Sequence, residues 1–166
     1  MAKFTYKGLE EYEKKLSELA KVETVKSICG ATVYAGAKVM ADAIKESIEA
    51  LPVVDHRTRG TEEKKINGVT SAQKQGLIEG FGISPMQYDD GYYNVKLGFD
   101  GYNSVKTKKY PSGQPNSLIA RAVNSGASFR EKTRFIDKAV SRAKKPTEQA
   151  MKETMEDQFE KLAKGR

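Results

Sequence analysis

Residues 23–51 read ETVKSICGATVYAGAKVMADAIKESIEAL, and this stretch decides the fold. Val25, Ile28, Thr32, Ala35, Val39, Ala43 and Ile48 recur near helical spacing and lie roughly along one stripe. No proline interrupts them, and Pro52 follows directly, where helices commonly stop. The reading is one long helix. Gly30, Ala31, Ala35, Gly36, Ala37, Ala41 and Ala43 make it rich in small side chains. Each glycine inside a helix costs about 1 kcal/mol relative to alanine. Close packing offsets such a cost, either on a sheet or on a neighbouring subunit, and the sequence leaves both open.

Upstream, Leu9, Tyr12, Leu16 and Leu19 keep helical spacing, so residues 8–19 form a short amphipathic helix, with Glu10, Glu11 and Glu13 near its positive end. Downstream, residues 53–70 are polar and charged and form a long loop or loose hairpin. Ser71 to Ile78 is a short helix capped by Ser71 or Thr70. Residues 91–99 alternate after the turn signal Asp89-Asp90-Gly91, with Tyr93, Val95, Leu97 and Phe99 on one face. Phe81 to Gln87 is the candidate hairpin partner. Residues 100–117 hold Asp100-Gly101, Pro111-Ser112-Gly113 and Pro115-Asn116, the chemistry of a loop. Leu118 to Val123 fits a helical turn or a strand equally. A last helix starts near Phe135 and keeps its phase to Leu162, either kinked at Pro146 or restarted there.

The sum is an α+β chain. A long small-residue-rich helix and a C-terminal helix pack on a small antiparallel β-sheet, with long loops. Residues 1–166 form a single domain, with a short N-terminal helix over 1–21 and a helical extension over 146–166.

Composition excludes several classes of function. Among 166 residues there is one His, one Cys and no Trp. A lone Cys29 cannot form an internal disulfide and reads as a small buried hydrophobe. Cys29 and His56 together supply too few ligands for a zinc site. No run reaches the roughly 20 apolar residues of a membrane span, and the first residues lack the apolar core of a signal peptide. The expectation is therefore a protein made in a reducing cytoplasm, without membrane, cofactor or metal. The glycines Gly76, Gly80 and Gly82 form no G-x-G-x-x-G, and no phosphate-binding lysine follows them.

Lys and Arg number 29 against 22 Asp and Glu, a formal net charge of +7. The excess concentrates between Lys132 and Lys145, which hold six basic residues and one acid, Asp137. Arg134, Lys138, Arg142 and Lys145 fall on one helical stripe, able to track phosphates or meet an acidic partner. Lys106, Lys108 and Lys109 lie in a loop beside Tyr102 and Tyr110, a mix suited to nucleic acid or to docking on a protein. His56, between Asp55 and Arg57, is the only imidazole for acid–base work and has no nucleophile near it in sequence.

The order of segments resembles the head–tail joining and tail-completion proteins of tailed bacteriophages. Four stretches carry the likeness. The first is Gly8-Leu9-Glu10 through Leu16 and Leu19. The second is the small-residue helix leaving through Leu51-Pro52-Val53-Val54-Asp55, similar to a Pro-Val-Asp-Thr-Gly exit, with His56 and Arg57 where Thr and Gly are usual. The third is Gln73 to Ile78 running into Gly80-Phe81-Gly82-Ile83, then Val95 to Phe99. The fourth is Ile119-Ala120-Arg121-Ala122-Val123-Asn124-Ser125-Gly126-Ala127-Ser128 followed by Arg134-Phe135-Ile136-Asp137-Lys138-Ala139. There Arg134 replaces the usual Pro, and Asn124 and Ser125 stand where an acidic or aromatic pair is common. Gly126 suits a sharp reversal, and Phe135 and Ile136 would anchor the last helix in the core.

The resemblance implies a non-enzymatic virion structural protein of the neck or tail top. It would be a homo-oligomeric, hexameric ring that completes the tail and joins it to the capsid connector. Its partners would be itself, the neck or connector proteins, the tail-tube or tail-terminator proteins and, transiently, passing DNA. No catalytic residue is carried over. Loops 53–68 and 100–117 are the expected subunit contacts, through Val54, His56, Arg57, Arg59, Tyr102, Lys106, Lys108, Lys109 and Tyr110. The alternative is a basic nucleic-acid-binding module using Arg134, Lys138, Arg142 and Lys145 with the loop lysines. An enzyme built on His56 is the third reading.

Overall fold

A computed structural model describes residues 9–54 and 60–164. In chain order it holds α1 (Leu9–Leu19), α2 (Val22–Glu49), α3 (Ser71–Gly80), β1 (Phe81–Ile83), β2 (Gln87–Asp89), β3 (Tyr92–Asn94), β4 (Leu97–Phe99), α4 (Asn116–Ser125) and α5 (Phe135–Ala163). The fold is α+β, as the sequence pattern predicts.

The main packing axis is α2 against α5, which run antiparallel. Arg142 Nη2 reaches Glu46 Oε2 at 3.0 Å, Thr147 and Met151 lie over Gly36, and Gln158 and Leu162 lie beside Thr24 and Ile28. Each helix is roughly 42 Å long at 1.5 Å per residue. The small side chains of α2 are what permit this approach. A Cβ on Gly36 would stand 2.5 Å from Met151 Cγ, and one on Gly30 would stand 3.3 Å from Met86 Sδ. Both glycines are therefore accounted for within one chain, by α5 and by the segment joining β1 to β2. Cys29 beside them is half-buried and free. Pro146 sits inside a single α5, so the helix does not restart there.

The core lies at one end of this pair. Ile44, Ile48 and Leu51 of the α2 end meet Val69, Leu77 of α3, Phe81 of β1, Ile119 and Val123 of α4, and Phe135 of α5. Ile48, Leu77, Val69 and Val123 are wholly buried. Burying each such side chain contributes about 1.5–3 kcal/mol. The other end is thinly covered. Val22, Val25, Met155 and Phe159 remain exposed. Leu16 of α1 is 64% exposed, so the amphipathic stripe expected there does not bury it, because α1 meets α2 and α5 too sparsely to cover it. The side chains of Leu9 and Tyr12 lie outside the described part.

The strand expected over 91–99 is two strands. β1 pairs with β4 through Phe81↔Phe99, Gly82↔Gly98 and Ile83↔Leu97, while β2 pairs with β3 through Gln87↔Asn94, Tyr88↔Tyr93 and Asp89↔Tyr92. Between these ladders the first arm has Ser84, Pro85 and Met86 and the second only Val95 and Lys96. That one-residue excess is a bulge, and Pro85, which has no N–H to donate, sits in it. Ser84 Oγ accepts from Lys96 N–H at 2.9 Å and holds the break together. The ribbon then closes on Asp90 (φ 52°) and Gly91 (φ 87°), the two-residue turn with positive φ at both positions.

Two helical ambiguities are resolved by capping. Thr70, rather than Ser71, caps α3: its Oγ1 accepts from Gln73 N–H at 3.2 Å, and Gln73 Oε1 accepts from Thr70 N–H at 3.3 Å. Residues 116–125 are helix, and Gly126 (φ 81°) ends it. The chain returns through Thr133, whose Oγ1 donates to Val123 O at 2.8 Å. Arg134 then takes a left-handed φ of 56° before Phe135 enters the core. Proline cannot adopt that φ, so the path into α5 differs from one with the usual Pro of the resemblance.

Candidate functional site

Three surfaces collect the residues singled out in the sequence. The first joins residues 60–70 to α3 and to Arg130. Val53 bridges Val69 in parallel, Val54 N–H donates to Val69 O at 2.9 Å, and Ile66 bridges Arg130. Val54 is half-buried in this bridge rather than presented. His56, Arg57 and Arg59 lie outside the described residues. Arg130 is 6% exposed, and its guanidinium donates to Gly68 O and, at 3.2 Å, to Gln73 Oε1. No carboxylate is paired with it among the described residues, and burial lowers its pKa below that of an ordinary arginine. Gln73 also donates from Nε2 to Gln114 Oε1 at 2.9 Å. One arginine and one glutamine thus tie three loop segments to the start of α3.

The second surface is the 100–115 segment. It is not a free loop. Asn103 N–H donates to Gln114 O at 3.0 Å, Asn116 N–H to Gly101 O at 3.0 Å, and Asn116 Nδ2 to Asp100 O at 2.8 Å. Asn103 and Asn116 are buried, and Asn116 and Ser117 already belong to α4. On this frame Tyr102, Lys106, Lys108 and Lys109 are exposed, and Lys109 Nζ lies 5.6 Å from the centre of the Tyr110 ring. Tyr102, Asn103 and Ser112 face Gln75, Gly76 and Glu79 across an open groove of about 650 Å³.

The third surface is the basic stripe. The structure divides it. Arg134 stands outside the helix as its cap and pairs with Asp137 at 3.4 Å. Arg142 pairs with Glu46 at 3.0 Å. Lys138 and Lys145 are exposed and form no ion pair among the described residues. The expected four-cation track is thus two free cations about 10.5 Å apart along α5, with a neutralised arginine between them. Asp137 is drawn below its ordinary 3.8 chiefly by the hydrogen bond from Asn124 Nδ2 at 3.1 Å; desolvation opposes this, and Arg134 and then Lys132 add smaller lowering effects.

No family model, curated protein or solved structure matches the chain. The site is therefore read from its own residues. Among the described residues no three His, Cys, Asp or Glu side chains converge as metal ligands, and no helix is long and apolar enough to cross a membrane.

Sequence reasoning missed four structural polar residues: Gln73, Asn116, Asn124 and Arg130. For Gln73 a signal existed, the Thr70-x-x-Gln73 spacing of a capping box. Asn124 caps α5 from α4, with Oδ1 accepting from Ile136 N–H at 3.0 Å and Asp137 N–H at 3.5 Å. Nothing local to Asn124 or Arg130 announces a partner twelve or more residues away. It also missed the aromatic tip of the β2–β3 ribbon, where the Tyr88 and Tyr93 rings meet at a tilt of 52° with centres 4.8 Å apart and Tyr92 is 74% exposed.

Proposed function

We propose that this chain is a non-enzymatic structural subunit of a ring at the neck or tail top of a tailed bacteriophage or a related tail-like particle, where it completes the tail and joins it to the capsid connector. The observation that carries this reading is the amount of surface the chain leaves uncovered. Among the described residues the large side chains of Leu16, Val22, Tyr88, Tyr92 and Phe159 remain 45–74% exposed. Part of the exposed set is large and apolar, at the thin end of the α2–α5 pair and at the ribbon tip. Such surface suits a subunit that is completed by neighbours.

The order of segments supports the same reading, with its most specific stretch forming the α4–α5 joint. Loops 53–68 and 100–117 remain the proposed subunit contacts. The subunit would be made in the bacterial host cytoplasm and end in the virion. Removing it from a producing host should leave filled heads and finished tails unjoined; normal joined particles without it would refute the assignment.

A nucleic-acid-binding module is the second reading, favoured by the unpaired Lys138 and Lys145 and the exposed lysines at 106–109. It predicts retention of duplex DNA that falls steeply with salt.

A further inference from the structure

We propose that the tip of the β2–β3 ribbon is a docking plug, and that its socket is the Lys138–Lys145 face of α5 on a second copy of this chain. The inference rests on the ring reading and adds to it a subunit contact beyond loops 53–68 and 100–117.

The plug is held rigidly. Its turn has two residues, Asp90 and Gly91. Its base is fixed to α2, because Met86 N–H donates to Tyr34 Oη at 2.9 Å and Met86 Sδ lies against Gly30. The tip nevertheless puts Tyr88 at 63% and Tyr92 at 74% exposure. Tyrosines on a rigid scaffold lose little entropy on binding and are enriched among the residues that dominate interfaces. Between them Asp89 Oδ2 accepts from Asn94 Nδ2 at 3.2 Å and lies 3.7 Å from Lys96 Nζ, whereas the Asp90 carboxylate has no partner among the described residues. The plug therefore offers aromatic faces and a free negative charge.

The complementary chemistry is a cation pair, since ammonium groups attract both carboxylates and aromatic faces. Lys138 and Lys145 supply it. They are a poor phosphate track, because Arg134 and Arg142 are already matched by Asp137 and Glu46, and Glu148 lies just beyond. A short basic face bounded by acids fits a small acidic plug better than a long polyanion.

The base of the plug is held at Tyr34 and the socket's Arg142 at Glu46, twelve residues or about 18 Å of helix rise apart on α2, and the ribbon packs on α2 through β3. Two different patches that join between copies make a heterologous contact, the kind that closes rings.

The test is sedimentation of the full chain at low salt. The expected result is concentration-dependent self-association that Tyr92→Lys or Lys145→Glu each weaken about tenfold or more. An equimolar mixture of those two variants should associate as the original chain does, because each plug then finds a complementary socket. Both positions are exposed, and an unchanged circular dichroism spectrum checks folding. In a Cys29→Ser background, Tyr92→Cys on one copy should form a disulfide with Lys145→Cys on another when oxidised glutathione is added as the two-electron oxidant.

A chain that stays monomeric at every attainable concentration overturns the inference. So does association that neither variant changes, or duplex DNA binding through Lys138 and Lys145 in its place. A labelled ring in the particle with the plug variants neutral would sink this inference and leave the ring reading standing. A plug–socket disulfide in a protein absent from the particle would do the reverse.

Discussion

Gly36 and Gly76 offer the same substitution in two helices with different expected outcomes. Replacing either by alanine gains about 1 kcal/mol of helix propensity. At Gly36 the new Cβ meets Met151 Cγ at 2.5 Å and Sδ at 2.7 Å. Methionine is unbranched and half-buried here, so it can turn aside for about 1–2 kcal/mol of repacking. The net change should lie within about 1 kcal/mol of zero. At Gly76 the new Cβ meets Asn103 Cβ at 2.5 Å, Asn116 Oδ1 at 2.6 Å and Asn103 Cα at 3.2 Å. Asn103 is pinned by its own backbone bonds, and Asn116 by its bond to Asp100 O, so neither yields without loss. Overpacking of about 1–3 kcal/mol plus a broken buried hydrogen bond of about 1–3 kcal/mol outweighs the propensity gain. Gly76→Ala should destabilise by about 1–5 kcal/mol, lowering Tm by roughly 2–20 °C. Urea unfolding followed by circular dichroism measures both. Equal effects at the two sites, or a stabilising Gly76→Ala, would refute the claim that loop 100–115 is clamped onto α3.

Asn124→Ala removes the acceptor for the first N–H groups of α5 and should cost about 1–2 kcal/mol in the same assay. Asp137 has a lowered folded pKa, so its stabilising contribution is fully present above the ordinary 3.8 and fades as pH falls through the lower folded value. Acid titration of stability should therefore be steeper for the native chain than for Asp137→Asn in that acidic window. Arg130→Ala strands Gly68 O, removes one of the two donors to Gln73 Oε1 and leaves a void, costing about 2–4 kcal/mol. Arg130→Met refills the volume without the buried charge, so thermal unfolding should show it less harmed than the alanine variant.

The long helix was legible because α2 is buried by its small residues and stops before a proline. Helix α3 was legible from its cap residues, and the ribbon turn from Asp90-Gly91. The split of residues 91–99 was not legible. The cause is Pro85 on the opposite arm, and alternation along one strand carries no information about a bulge in its partner. The basic stripe shows the same limit. Helical spacing placed Lys138, Arg142 and Lys145 together correctly, but Glu46, nearly a hundred residues away, neutralises Arg142. The left-handed Arg134 could not be foreseen either, since its conformation is imposed by the bonds of Thr133 and Arg134 back to Val123 and Asn124. Surface patterns report which residues share a face; only the fold says which of them are already taken.

The central claim is a ring at the neck. Its most direct test is negative-stain imaging of intact particles that carry a gold-labelled tag on this chain. The account predicts label confined to the junction of head and tail, arranged around the tail axis. Label on the capsid shell or tail tip, or particles free of label, would contradict it.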